Sequence, residues 1–481
     1  MLIRLASAAS EIERFVQKRT SGNFEMYSRA PLWQWDIAAA GVGFVLALVL
    51  GLLLRQRTSQ THRRGSLVLD GSLARRQVRL RRRRYGAAAL TLAGVSLAPL
   101  DETKHFKLIG TTGTGKSTAI QELLCGALQR GDAAVIADPD AGYLARFHNR
   151  GDAILNPFEP GSCRWDPFAE IRHTYDVEML AGSLIPSGED SSGREWRSYA
   201  RTFFTAVARR CLQEGRREVA ELWRLLLVAP AAELYPMVVG TPAQPFLEAD
   251  NARMFGSIRS VAGSALSALE HVAAQQGGPA FSVRQWVRNG RGALFLPYRA
   301  TQIAALHSII ATWLRLAIFE AMSGPEADRR LWLIIDELDA LGVIEGLKDA
   351  LVRLRKFGGR CVLGLQSISQ VSGIYGAEAQ TIIENCANTV VFRCSSSEHG
   401  GTSAFASRLI GEREVIRQQK SRGRDTPGLF TARGARRSTH VNEQYVTEPA
   451  VMASELEQLP DLSGYLKTAS SAAWLKVSLA R

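Results

Sequence analysis

The sequence predicts an α/β fold: a mainly parallel sheet with a phosphate-cradling loop, an inserted all-α stretch, and a membrane-spanning helix ahead of both. Three observations carry that prediction. In HFKLIGTTGTGKSTAIQELLCGALQRG, residues 105–131, a strand-like tetrapeptide enters a glycine-rich loop that continues as a helical pattern. In RLWLIIDELDAL, residues 330–341, a buried-strand run ends in two adjacent carboxylates. Strand-like and helical runs alternate on both sides of a stretch, 175–275, that shows the helical period alone, and strands joined through helices pair in parallel.

The 481-residue chain exceeds one ordinary core, so two lobes with accessory segments are expected. Residues 1–36, with five basic and four acidic side chains, form an N-terminal segment. From Ile37 to Leu54, IAAAGVGFVLALVLGLLL runs for eighteen residues without a charge. As a helix rising ~1.5 Å per residue it spans about 27 Å, enough to cross a bilayer. Trp33 and Trp35 at one edge and Arg55 and Arg57 at the other suit the two interfaces. The excess of arginine beyond the span places the C-terminal bulk in the cytoplasm and residues 1–36 outside. A buried core helix is the competing reading, and the arginine cluster at its end opposes it. A cleaved signal peptide is opposed by the late start of the run and the lack of a small-residue cleavage site.

The formal charge of +13 is unevenly spread. Residues 55–84 hold eleven arginines against Asp70 alone, and 411–437 hold eight basic groups against three acidic ones, which leaves the remainder slightly acidic. A uniformly basic nucleic-acid coat is thereby excluded. The basic juxtamembrane segment 55–84, with RLRRRR at 79–84, reads as a contact for anionic lipid in preference to DNA. GAAALTLAGVSLAPL at 86–100, short and broken by Gly and Pro, reads as strands leading into the nucleotide-binding domain, whose first part is 85–174. The six cysteines form no CxxC pair and the histidines make no metal-ligand spacing with them, which fits a reduced compartment.

Gly110, Gly115, Lys116 and Ser117 match G-x-x-x-x-G-K-[ST] between the strand FKLI and the helix STAIQELLCGALQ. The expected nucleotide-binding loop is therefore Gly110, Thr111, Thr112, Gly113, Thr114, Gly115, Lys116, Ser117 and Thr118. Its glycines admit backbone N–H groups to phosphate oxygens, Lys116 brings charge to the β- and γ-phosphates, and Ser117 offers a hydroxyl to Mg²⁺. Asp336, at a strand end, is the second expected Mg²⁺ group, and Glu337 is the catalytic residue that polarises the attacking water. An acidic turn after a strand is the plainer reading of the pair, and the phosphate-loop match outweighs it. The apolar run Cys361–Leu365 ends in Gln366, which is either a sensor of the γ-phosphate or a simple strand-end amide. In LKDALVRLRKFGGR, an amphipathic helix, Arg355 is the expected finger into a neighbouring subunit's nucleotide. Arg360 is its competitor, and plain solvated surface is the alternative.

Residues 175–275 are expected as an all-α domain, from patterns such as EWRSYARTFFTAVARRCLQ. Strand signals resume in GALFLP at 292–297 and recur at 331–335, 361–365 and 389–394, so 276–481 is the second part of the nucleotide-binding domain. The Gly- and Arg-rich stretch 418–440 reads as a loop that touches phosphates or as a solvated surface loop.

With VIADPDAGYLARF at 135–147, ILNPFEPGSCRWDPFAEI at 154–171, SGREWRSYARTFF at 192–204 and NEQYVTEPAVMASELEQLPDLSGYLK at 442–467, these blocks resemble the TraD/TraG-like coupling proteins of type IV secretion and conjugation. Those are membrane-anchored relatives of RecA-like and FtsK-like hexameric motors, and the resemblance covers most of the chain from about residue 90. It implies a RecA-like P-loop nucleotide-binding domain with an inserted small all-α domain, and an ATPase that uses ATP and Mg²⁺. It implies phosphate binding by Lys116, Mg²⁺ and hydrolysis roles for Asp336 and Glu337, nucleotide sensing by Gln366 and a finger at Arg355. It also implies a homohexamer in the bacterial inner membrane, where the run 37–54 gives this chain a single pass. The implied partners are DNA bound mostly without regard to sequence, relaxase and relaxosome proteins, and components of the secretion channel; the implied work is pumping DNA to that channel during conjugative transfer. Three other readings stand beside this one. An FtsK-like chromosomal translocase would bring several spans, a long linker and a winged-helix tail, none of which is visible. A non-hydrolysing recruitment platform is opposed by Glu337. A coupling protein for protein effectors meets no opposition in the sequence. Two departures from the family's pattern are present: many members have two membrane helices, and DPD at 138–140 stands where the family often has Asp-Pro-Lys-Gly.

Overall fold

The computed structural model describes residues 60–187, 191–275, 277–324, 329–397, 400–424 and 437–480. The N-terminal segment 1–36, the apolar run 37–54 and residues 425–436 lie outside the described residues. The chain divides into two compact units, residues 1–61 with 417–444 and residues 62–416 with 445–481. The described residues of the smaller unit are all strand, in a three-stranded sheet of Gln60–Gly65, Glu412–Arg424 and Arg437–Pro449 with the second in the middle. The stretch 418–440, expected as a loop, thus contributes strand at both ends. It has no apolar alternation, and only pairing with a distant strand reveals it.

The larger unit is built on ten strands: β1 (Leu67–Leu69), β2 (Phe106–Ile109), β3 (Ala133–Pro139), β4 (Ala153–Ile154), β5 (Ala293–Tyr298), β6 (Leu331–Ile335), β7 (Gly359–Leu365), β8 (Asn388–Val391), β9 (Ser463–Lys467) and β10 (Ala473–Ser478). Their order across the sheet is β1-β10-β9-β8-β2-β7-β6-β3-β5-β4. Every pairing from β8 to β4 is parallel, whereas β9 runs antiparallel to both its neighbours. Because both faces of the central strands are covered, β2, β6 and β7 are buried along their whole length; β6 is a continuous apolar run, while β2 buries Lys107 and β7 buries Arg360.

The two faces nonetheless separate by the strand period of two. Phe106, Leu108, Trp332, Ile334 and Val362 pack on one side with Ile120, Leu123 and Leu124 of the helix Lys116–Gln129. Ile109, Leu333, Ile335, Leu363 and Leu365 belong to the opposite core, which includes the helix Ile303–Met322 and continues into the helical stretch through Phe203, Phe204 and Phe255. That stretch consists of helices Asp176–Leu184, Ser191–Glu214, Val219–Leu227, Ala231–Val238, Ala252–Leu266 and Ala268–Ala274, with two short 3₁₀ turns. Among the described residues Ile303–Met322 is long and apolar enough to cross a membrane, but Leu306, Ile310, Trp313, Leu314 and Ala317 are buried, and it serves as a core helix.

The basic segment differs from its expected place outside the domain that begins at 85. From Leu67 onward it is folded in: β1 adds to the edge of β10, and the helix Gly71–Tyr85 buries Ala74 and Arg81. Arg81 donates to the Ser96 carbonyl at 3.0 Å and lies 3.7 Å from Asp101. An arginine fills a core position by pairing its head and burying its stem, so the apolar period is hidden in the sequence. Residues 86–100 give only a hairpin of Thr91–Leu92 with Val95–Ser96, apart from the main sheet, and a helical turn Pro99–Glu102.

Candidate functional site

The central order β2–β7–β6 brings three strand ends to one edge. Ile109 lies beside Leu365 and Ile335 beside Leu363, so Gly110, Gln366 and Asp336 leave the carboxyl edge of the sheet side by side. Ligands of parallel α/β sheets bind at that edge. The chain passes from β2 through Gly110–Gly115 into the helix starting at Lys116, and Gly115 takes φ 118°, a left-handed conformation open to glycine. The Lys116 ammonium donates to its own loop, to the carbonyls of Gly110 at 2.6 Å and Thr111 at 3.0 Å. An arriving phosphate would replace those carbonyls. Burial lowers the Lys116 pKa, and the charges of Asp336, Glu337 and Asp339 oppose that shift.

Asp336 is the hub. Its Oδ2 accepts from the Ser117 hydroxyl at 2.6 Å and from the Tyr143 hydroxyl at 2.9 Å. Its Oδ1 is buried and has no hydrogen-bond partner among the described residues. A buried carboxylate oxygen without a donor, beside a serine hydroxyl at the head of a phosphate loop, is a donor set that fits Mg²⁺. The backbone approach is close: a Cβ at Gly364 of β7 would stand 1.8 Å from the Asp336 carbonyl oxygen, so glycine is required there.

Tyr143 is held in place by Asp138, at the end of β3. The buried Asp138 carboxylate accepts from the backbone N–H of Tyr143 at 2.9 Å and of Leu144 at 2.7 Å. Burial pushes the Asp138 pKa up to about 6, the two amides pull it down, and the Asp336 charge adds to the rise. Burial first, and Asp336 second, raise the Tyr143 hydroxyl well above its ordinary value, so it stays protonated and donating. Neither role was legible from composition. The Asp-Pro-Asp signal marks a strand end followed by a helix, Gly142–Phe147, but nothing in the sequence points a tyrosine at a carboxylate almost two hundred residues away.

Glu337 is joined to the loop through Gln366. The Gln366 amide nitrogen donates to Glu337 Oε1 at 2.7 Å, and its oxygen accepts from the Thr112 hydroxyl at 3.3 Å. Burial, followed by the Asp336 and Asp339 charges, raises the Glu337 pKa against Lys116 and Gln366; a carboxylate so placed is a better base than an exposed one. The cleft between these groups holds about 130 Å³ and is lined by Thr112, Gly113, Gly115, Lys116, Ser117, Thr118, Asp336, Glu337 and Gln366.

The two candidate finger arginines part company. Arg360 is buried: its Nε donates to Glu102 at 3.1 Å, and its guanidinium lies 5.6 Å from the Trp332 ring centroid. Glu102 in turn receives both guanidinium nitrogens of Arg130 at 2.8 Å. Arg360 is committed to that network. Arg355 is exposed on the turn Leu354–Phe357, which precedes β7 at the amino edge of the sheet. A seven-residue strand separates it from the carboxyl edge, roughly 20 Å at ~3.3 Å per residue, so it cannot serve the site of its own chain.

Residues 89–480 match the family model described as the type IV secretion-system coupling protein DNA-binding domain. The coupling protein TraD of Escherichia coli (strain K12) is 29% identical over 468 residues, covering 93% of this chain and 63% of TraD. The chain therefore spans under two thirds of the length of that relative. Of solved structures, the unbound bacterial conjugative coupling protein TrwBdeltaN70 aligns with a TM-score of 0.75 at 32% identity, covering 88% of this chain and 94% of the other. The plasmid coupling protein TrwB in complex with ADP and Mg²⁺ aligns with a TM-score of 0.76 at 32% identity over the same shares. TrwB in complex with the non-hydrolysable ATP analogue ADPNP gives 0.75 at 33% identity, covering 87% and 94%.

Proposed function

Because the chain belongs to the type IV secretion-system coupling proteins, we propose that it is a membrane-anchored ATPase that recruits a DNA–protein substrate and pumps DNA to a type IV secretion channel. The observation that carries this reading is the pair of bridges across three strand ends, Ser117 to Asp336 and Gln366 to Glu337. A site that only holds a nucleotide has no use for a raised carboxylate tied to the phosphate loop. That TrwB is seen with ADPNP and with ADP and Mg²⁺ supports ATP and Mg²⁺ as the ligands of this loop. The Ser117 hydroxyl and Asp336 would hold Mg²⁺, which would supply charge against that developing on the β- and γ-phosphates. Lys116 adds its own charge there, Glu337 takes the proton of the attacking water, and Gln366 carries the loop's state to Glu337. Arg355, exposed at the far edge, completes the site of a neighbouring protomer, and the working unit is a homohexamer. The run 37–54 anchors the chain by a single pass in the bacterial inner membrane, with its bulk in the cytoplasm. DNA held by its phosphates, a relaxase or relaxosome protein and the channel are its partners.

The test is ATP hydrolysis by the full chain with and without single- and double-stranded DNA, with oligomeric mass measured alongside. DNA-stimulated turnover together with a shift to a hexamer is the expected result. Turnover that DNA leaves unchanged would remove the motor reading, and no turnover at all would leave the recruitment platform.

A further inference from the structure

The basic helix Gly71–Tyr85 holds more charge than its fold uses. Arg81 alone among its arginines is buried; Arg75, Arg76, Arg79, Arg82, Arg83 and Arg84 are exposed, and none has an acidic partner within 4 Å among the described residues. The same helix exposes two leucines, Leu73 at 57% and Leu80 at 48%. Seven residues apart on a helix, they lie about 20° from one another, with Arg76 and Arg83 beside them and the buried Ala74 and Arg81 turned away. On the other side of the helix from the leucines runs an open groove of about 800 Å³, rimmed by Arg75, Arg79 and a Lys476 that lies 3.4 Å from Asp70. Water-exposed leucines between unpaired guanidiniums do nothing for the stability of the folded unit.

We propose that this outer face is a docking surface for the anionic phospholipid headgroups of a bilayer, with Leu73 and Leu80 entering the interface. Cations over an apolar ridge match a surface that is negative outside and apolar beneath. Phosphates of DNA offer the charge but no apolar layer, so the leucines favour lipid. The chain supplies the second argument: only residues 55–70, which include the strands Gln60–Gly65 and Leu67–Leu69, separate this helix from the uncharged run that ends at Leu54, so the two lie within roughly 60 Å of each other. The proposal rests on the reading of that run as a membrane anchor.

The experiment places the photoreactive residue p-benzoylphenylalanine at Leu80 in the full chain. The chain is incorporated into bilayer discs of phosphatidylcholine and phosphatidylglycerol, a DNA duplex is added, and adducts are identified by mass. A second chain carries the probe at Val239, exposed in the helical stretch. A phospholipid adduct at Leu80, enriched in phosphatidylglycerol over its share of the disc and missing at Val239, is the expected result. Each arginine near an anionic surface contributes about five-fold in binding, so Arg76→Gln with Arg83→Gln should bring the phosphatidylglycerol share of the adducts down to its share of the disc. An adduct with DNA or with protein, or a lipid adduct indifferent to headgroup charge, overturns the proposal. A chain that fails to enter the discs defeats the anchor reading separately. The same probe is then read with free phosphatidylglycerol vesicles, where an adduct is still expected and its absence overturns the surface.

Discussion

Around Asp336 the outcome depends on single atoms. Tyr143 and Ser117 both occupy Oδ2, which leaves Oδ1 as the free acceptor. Removing one hydroxyl in Tyr143→Phe frees the carboxylate to rotate without opening a cavity. Partners of metal ligands are worth about 10–100-fold in metal affinity, so the Mg²⁺ concentration that half-saturates fluorescent ADP binding should rise by that factor, while binding without Mg²⁺ stays unchanged. Lys116→Ala is expected to abolish turnover and DNA transfer while the chain still reaches the membrane, as a turnover assay and fractionation would read. Asp138 gives a pH effect of definite sign. Its folded pKa, about 6, lies above the ordinary 3.8, so its charge costs stability above pH 6, and that cost is relieved as pH falls through the folded value. Relative to Asp138→Asn, which does not titrate, the native chain should gain about 1 kcal/mol between pH 7 and pH 5, measured by urea midpoints. Lys116, Ser117, Asp336 and Glu337 stand out in the sequence because two short motifs list them; Tyr143 does not, because its role depends on a bend between β3 and the following helix.

Elements show the same division. The ranges expected for the strands ending at Ile109 and Ile335 coincide with β2 and β6, since a strand covered on both faces is written mostly in apolar residues, Lys107 of β2 being accommodated by the Ile383 and Cys386 carbonyls. The basic helix and the strands at 412–424 and 437–449 escape such reading, because a buried arginine or a polar strand produces no apolar period. β7 illustrates a constraint of the element as a whole. It separates the two motif strands, and its Gly364 lets the Asp336 backbone come close. Gly364→Ala should therefore destabilise the fold by about 1–3 kcal/mol or more and lower hydrolysis with it, even though the substituted residue meets no nucleotide. A chain that keeps its melting temperature and its activity after that change would remove β7's close approach as a requirement.

For the whole molecule the decisive distance is the height of the sheet. Arg355 sits at the amino edge and the phosphate loop at the carboxyl edge, so a finger role requires a second copy. Mixing Arg355→Ala chains with Lys116→Ala chains should restore part of the DNA-stimulated turnover that each has lost alone, because some mixed interfaces pair an intact loop with an intact arginine. No recovery in the mixture would assign Arg355 to a structural role. By itself the sequence determined which residues make up the loop and the acidic strand end, and the alternation that makes the sheet parallel. The first two lie in short contiguous motifs, and the third in the order of elements along the chain. Only the tertiary structure decided that Gln366 stands between the two motifs, that Tyr143 rather than solvent holds Asp336, and that Arg360 is committed to Glu102 while Arg355 is exposed. Those outcomes depend on strand order and burial, which join residues far apart in the chain and leave no local pattern to read.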